Sequence, residues 1–269
     1  MKAWQFTDPS HGLELKTVPI PEPGPNQVLV QVKAAGLRHT DYNVISGLDT
    51  TFMFKRPITL GHELAGIVTR TGSSVTTLTA GDGVVAVVAA KRPFKLRDAA
   101  SMPGLGYDGG FGEYVILEEH KALRIPQDIS FADAALPMQL WPLMLWAQRT
   151  MQSSPRARGA GITTSDAVMS IEQGGTIVLV GLGSKECTLN TFEFVLRNVV
   201  LKGATGASPD EFHACMDLIA AGTFKTTTEE MPFDGIAAGI DRLVEGRATA
   251  RLWADPSRGE ERDVCRSDA

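Results

Sequence analysis

Cysteine is scarce: Cys187, Cys215 and Cys265 are the only three in 269 residues. An odd number at wide spacing forms neither a C-x-x-C pair nor a disulfide framework. Cys187 and Cys215 are expected as small buried thiols and Cys265 as a tail thiol, in a reducing cytoplasm. Long apolar runs are missing too. The stretch VVAVVAA at residues 84–90 stops at Lys91 and Arg92, well short of the ~18 residues that cross a bilayer. Residues 1–12 carry no apolar secretion core. Positive charge is not in excess either. The formal net charge is -5, whereas a nucleic-acid binder normally shows a basic face. These absences exclude a membrane span, a disulfide scaffold and a nucleic-acid partner, and leave a small molecule as the expected partner.

What is present divides into two textures. Residues 13–37 alternate apolar and polar side chains around a Pro/Gly cluster at residues 19–25, the pattern of half-buried strands joined by turns. ELAGIVTRTGSSVTTLTAGDGVVAVV, at residues 63–88, adds two more strands, and residues 109–126 another pair. Short strands with frequent turns suggest a small barrel. From about Phe131 the pattern turns helical, with Ser130 as candidate N-cap. GGTIVLVGLG and NVVLKGATG are continuous apolar strands alternating with helices, as in a parallel α/β sheet. A helix follows Ser208, with Glu211 completing a capping box. Another ends at Gly246, and TARLWADP reads as a last strand.

Several of these residues resemble a known family. GLRHTDYN (residues 36–43), LGHELAG (60–66), GDGVVAV, YDGGFGEYVI and GGTIVLVGLG are similar to the medium-chain dehydrogenase/reductase superfamily, in its zinc alcohol dehydrogenase branch. The resemblance implies an α/β chain. A GroES-like β-barrel would span residues 1–136 and a truncated Rossmann-like parallel sheet with helices residues 137–256; the tail, residues 257–269, is expected to be disordered from its charged composition. It also implies a cleft between the two domains that carries the chemistry.

Departures from that family pattern shape the functional expectation. The resemblance puts a zinc-ligating Cys where this chain has Arg38, and keeps the second ligand as His62. The third would fall at Gln139 or its neighbour Met138. Arg38 cannot lose its charge at any working pH. Asn43 stands where many relatives carry a proton-relay His, and Thr40 is retained as the hydroxyl that meets the substrate oxygen. The four-Cys lobe of a structural zinc is missing before residue 104. No Gly-rich turn follows a strand ahead of residue 175, and roughly 70–90 residues, two or more βαβ units, are absent there. GLGSKE, at residues 181–186, holds only a single G-x-G.

From this the sequence suggests a non-redox, cofactor-independent enzyme of cyclase, isomerase or dehydratase type, needing neither NAD(P) nor zinc. Catalysis falls to Arg38, His39, Thr40, Asp41, His62 and Glu63. Asn43, Met138, Gln139, Trp141 and Leu182 are the expected contacts to a small, apolar substrate. An ion pair of Asp41 with Arg38, and a His62–Glu63 pair, are the bland structural roles for the same residues. The alternatives are a zinc-independent NAD(P)-dependent oxidoreductase of the alcohol dehydrogenase family and a non-catalytic binding protein. A homodimer stays open as the assembly.

Overall fold

The computed structural model describes residues 1–48, 53–87, 96–135, 162–180, 186–204, 209–223 and 225–259. The first three strands are β1 (Lys2–Phe6), β2 (Leu13–Thr17) and β3 (Gln27–Gly36), followed by helix α1 (His39–Ile45). Strands β4 (Ile58–Thr59), β5 (Glu63–Thr71), β6 (Gly83–Ala86), β7 (Tyr114–Glu118) and β8 (Ala122–Arg124) come next. Helices α2 (Phe131–Ala135) and α3 (Ile162–Ser170) lead to β9 (Thr176–Val180), α4 (Thr191–Leu196) and β10 (Val200–Ala204). Helix α5 (Pro209–Ala220), β11 (Thr228–Met231), α6 (Ile236–Val244) and β12 (Arg251–Ala254) complete the order. The chain is α/β, as expected.

A seven-stranded sheet in the order β11-β12-β3-β5-β6-β8, with β7 also on β3, carries most of the first half. Strand β3 is central because QVLVQVKAAG is almost wholly apolar and can be covered on both faces. A three-stranded sheet, β2-β1-β4, meets it through the Ala3–Gly112 bridge. Among the described residues these sheets do not close into the expected barrel. Val30, Leu64, Val84 and Phe111 pack on one side of the large sheet. Ala65, Val85, three alanines of α2 (Ala132, Ala134 and Ala135) and Phe212 and Met216 of α5 pack on the other.

One irregularity in β3 matters for the site. Val28, Val30 and Val32 face the first core, yet Ala34 faces the second and Ala35 and Leu37 face the first. The register shift between Val32 and Ala34 accounts for the reversal. An extra residue in one strand flips every later side chain to the other face.

The last part of the chain does not stay with the parallel sheet. Strand β12 pairs antiparallel with β3, Trp253 opposite Gly36, and β11 runs parallel beside β12. The boundary at residues 136/137 is therefore crossed by the sheet pairing. Periodicity marks β12 as a strand but cannot say which edge it joins. Trp4 secures the return, its indole N–H donating to the Phe233 carbonyl at 2.8 Å across 229 positions of sequence. Trp4→Phe should lower stability by about 1–3 kcal/mol, the penalty for a buried acceptor left without its donor. The midpoint of urea unfolding would show it.

Elsewhere the expectations and the structure agree. Strands β9 and β10 are parallel neighbours, Val178 beside Lys202. Ser130 caps α2, its hydroxyl accepting from the Asp133 N–H at 3.1 Å. Gly246, at φ 67°, follows α6. Ser208 lies outside the described residues. The start of the expected tail is held: residues Pro256–Gly259 form a 3-10 turn, and Lys33 Nζ donates to Ser257 Oγ at 2.8 Å.

Candidate functional site

Strand β3 ends at Gly36, and the chain turns through Leu37 and Arg38 into α1. The turn is fixed by Asp41, whose Oδ2 accepts from the Arg38 backbone N–H at 2.9 Å. This satisfies one of the orphan N–H groups of the helix start and places a carboxylate at its positive end. Arg38 itself is buried, only 8% exposed, and Asp41, His62 and Glu63 are buried with it. Thr40 and Asn43 are half-buried, whereas His39 is exposed.

The pairs inside this cluster differ from those expected. Arg38 Nη1 donates to Glu63 Oε1 at 2.7 Å, so the guanidinium pairs with Glu63 and not with Asp41. His62 Nδ1 faces Asp41 Oδ1 at 3.3 Å. The two make no hydrogen bond, and Nδ1 has no hydrogen-bond partner in the structure. The reason for the exchange is strand parity. Glu63 and Ala65 lie on the same face of β5, and the shifted register of β3 keeps Ala34 and Gly36, the alternate residues that lead to Arg38, on that face.

A further member of the site carries no local signal in the sequence. Arg251 of β12 donates through Nη2 to Glu63 Oε2 at 2.6 Å, across 188 positions. Strand β3 lies between β5 and β12, with Gly36 opposite Glu63 on one side and Trp253 on the other. Burial pushes the Arg38 guanidinium below its ordinary pKa, Glu63 and Asp41 oppose that shift, and Arg251 adds to it.

The glycines of LGHELAG serve this packing. Gly61 has φ 90°, and a Cβ there would come within 2.5 Å of the Phe111 ring. A Cβ on Gly66 would strike the Gln31 carbonyl oxygen of β3. Residues 104–109 spell G-x-G-x-x-G, but they follow a 3-10 turn and not a strand. Gly104 and Gly109 pack on the Gly61 backbone and Gly106 on Ala100. This match to a dinucleotide motif is a close-packed loop, since the motif works only between a strand and a helix. Asp108 there is structural: its Oδ1 accepts from the Thr59 N–H at 2.9 Å.

Met138, Gln139, Trp141 and Leu182, the other expected site residues, lie outside the described residues.

Comparison with known proteins bears on what this cleft does. Residues 24–127 match the alcohol dehydrogenase GroES-like domain family. An NAD-dependent alcohol dehydrogenase of Sulfurisphaera tokodaii is 29% identical over 205 residues, 68% of this chain and 52% of the relative. An alcohol dehydrogenase of Geobacillus stearothermophilus is 23% identical over 329 residues, 92% of this chain and 96% of the relative. Residues 24–127 thus form an alcohol dehydrogenase GroES-like domain, and the chain is similar to alcohol dehydrogenases over most of its length. It spans about half the length of the Sulfurisphaera relative. In the Geobacillus alignment, 92% of 269 residues is about 247, so of 329 positions roughly 80 face no residue of this chain. Solved dehydrogenase folds superpose on it. The acetophenone reductase of Geotrichum candidum, in complex with NAD, gives a TM-score of 0.77 at 20% identity, over 94% of this chain and 96% of that one. A cobalt- and zinc-bound alcohol dehydrogenase of Pyrobaculum aerophilum gives 0.76 at 20% identity, over 95% and 99%.

These relatives overturn two expectations. The non-redox cyclase or isomerase gives way, because the relatives are dehydrogenases along nearly the whole chain. The expectation that no cofactor is needed gives way with it: the Sulfurisphaera relative is NAD-dependent, the Geotrichum structure holds NAD and the Pyrobaculum structure holds cobalt and zinc. Missing motifs tell which contacts a chain lacks. They do not tell which chemistry its remaining cleft performs.

The residues fit the two cofactors unequally. Open parallel sheets take ligands beyond the carboxyl ends of their strands. Strands β9 and β10 end side by side at Val180 and Ala204, an edge of the kind where such sheets take a ligand. A divalent metal at residue 38 does not fit. Both Glu63 oxygens already accept from guanidinium groups, and no set of three or more His, Cys, Asp and Glu able to hold a metal occurs among the described residues.

Proposed function

We propose that the protein is an NAD(P)-dependent oxidoreductase of the alcohol dehydrogenase type, interconverting a small, largely apolar alcohol and its carbonyl partner in the cytoplasm, without a metal at residue 38. Similarity to an alcohol dehydrogenase over 92% of the chain carries this reading. Two further observations are consistent with it. No described helix is long and apolar enough to cross a membrane, and Cys187 is an exposed free thiol. The homodimer belongs to the same proposal, and light scattering would test it.

The bound nicotinamide would supply the hydride acceptor or donor. The chain's own groups handle the proton and the developing charge. Thr40 offers Oγ1 to the substrate oxygen from the first turn of α1. His62, with Nδ1 turned to Asp41 Oδ1, is the group that takes up or returns the proton. Arg38, fixed by Glu63, supplies a permanent positive field that favours an alkoxide over the neutral alcohol. Asn43, half-buried one turn after His39, is a hydrogen-bonding substrate contact.

A panel of alcohols, aldehydes and ketones, each with both nicotinamide cofactors in the matching redox state, provides the test. Absorbance of the reduced nicotinamide should change with at least one pair. No turnover with any of them, together with no cofactor binding by calorimetry, would remove the proposal. Thr40→Val should then lower kcat by about 100-fold, the scale for losing one hydrogen-bonding group at a developing oxyanion, at an unchanged melting temperature. Unchanged kcat would take Thr40 out of the mechanism.

A further inference from the structure

The buried cluster around Glu63 is a closed arrangement of charge. Glu63 has no solvent exposure, and its two oxygens accept from Arg38 and Arg251, which arrive from opposite ends of the chain. Asp41 gives one oxygen to the Arg38 backbone N–H and turns the other to His62. A divalent ion needs lone pairs directed at itself, from deprotonated carboxylate, imidazole or thiolate. Here the Glu63 oxygens are directed at guanidinium protons. An ion placed among them would also sit beside two permanent cations in water-poor surroundings, where repulsion is poorly screened.

We infer that Arg38 is a tethered cation that closes this buried cluster to divalent metals. Its guanidinium occupies Glu63, and Arg251 completes the clamp from β12. The inference concerns only the site formed by residues 38, 41, 62 and 63. It stands apart from the redox reading, because its readout is metal binding and not turnover.

Cobalt(II) is the probe, since it takes zinc-type ligands and absorbs visibly when bound by thiolate and imidazole. The wild-type chain and Arg38→Cys are stripped with chelator and titrated with cobalt chloride. The wild type should show only the weak spectrum of hydrated cobalt. Arg38→Cys removes the cation and supplies a thiolate beside His62. It should gain an intense thiolate-to-cobalt band that saturates at one ion per chain and disappears when His62→Ala is added. A cobalt site in the wild type that is lost in His62→Ala would overturn the inference. A folded Arg38→Cys chain that takes up no cobalt would overturn it equally, because something other than the guanidinium would then exclude the ion. Should Arg38→Cys fail to fold, Arg38→Gln removes the charge with less change of shape. A cobalt-induced rise in melting temperature in that variant and not in the wild type supports the inference, and its absence refutes it.

Discussion

Glu63→Ala should lower the unfolding free energy by about 3–5 kcal/mol, the range found when one partner is removed from a buried ion pair. Two guanidinium groups lose their shared carboxylate at once: Arg38, 8% exposed, and Arg251, which reaches Glu63 from β12. Neither can shed its proton to escape. At about 2–4 °C per kcal/mol for a chain of this size, the melting temperature should fall by roughly 6–20 °C. Calorimetry or denaturant titration decides it. A loss below about 1 kcal/mol, the scale of an exposed pair, would mean that the clamp is not desolvated as the structure places it. Arg38→Ala leaves Glu63 with Arg251 still in place, so it should cost less than Glu63→Ala. The reverse ranking would move the centre of the cluster away from Glu63.

The second large effect is expected at Gly61. Alanine there is strained by φ 90° and also meets the Phe111 ring at 2.5 Å. Phe111 is fully buried and its N–H donates to the Leu60 carbonyl at 2.9 Å, so the ring cannot swing away. Backbone strain of about 1–3 kcal/mol then adds to overpacking of about 1–3 kcal/mol. Gly81 is the internal control. Its φ is 98°, but a Cβ there meets nothing within 4 Å. Gly81→Ala should therefore show the strain alone, and Gly61→Ala roughly twice as much. Equal losses in the two variants would show that Phe111 yields and that the close approach is not what requires glycine.

Much of the architecture could be read from local pattern. Alternation located β3, β5 and β6, and the continuous apolar runs located the parallel pair β9 and β10. The Ser130 cap was visible because capping is a contact between residues three apart. Helix α4 was not foreseen: Phe192 and Val195 are exposed, so its sequence shows no apolar stripe turned to a core. At the site, Arg38, Asp41, His62 and Glu63 were legible as a group because they lie in two short motifs. Their pairing was not, because a register shift of one residue in β3 decides which carboxylate faces which cation.

By itself, then, the sequence determined the composition of the site, its family resemblance and the positions of most strands, since these rest on residue types and on periods of a few residues. Three things were decided only by the tertiary structure. Arg38 pairs with Glu63 and not with Asp41. Arg251 joins from the far end of the chain. The G-x-G-x-x-G at residues 104–109 is a packed loop and not a phosphate cradle. Each depends on which strands and loops lie side by side. Long-range pairing of that kind leaves no mark on the residues next to it in sequence.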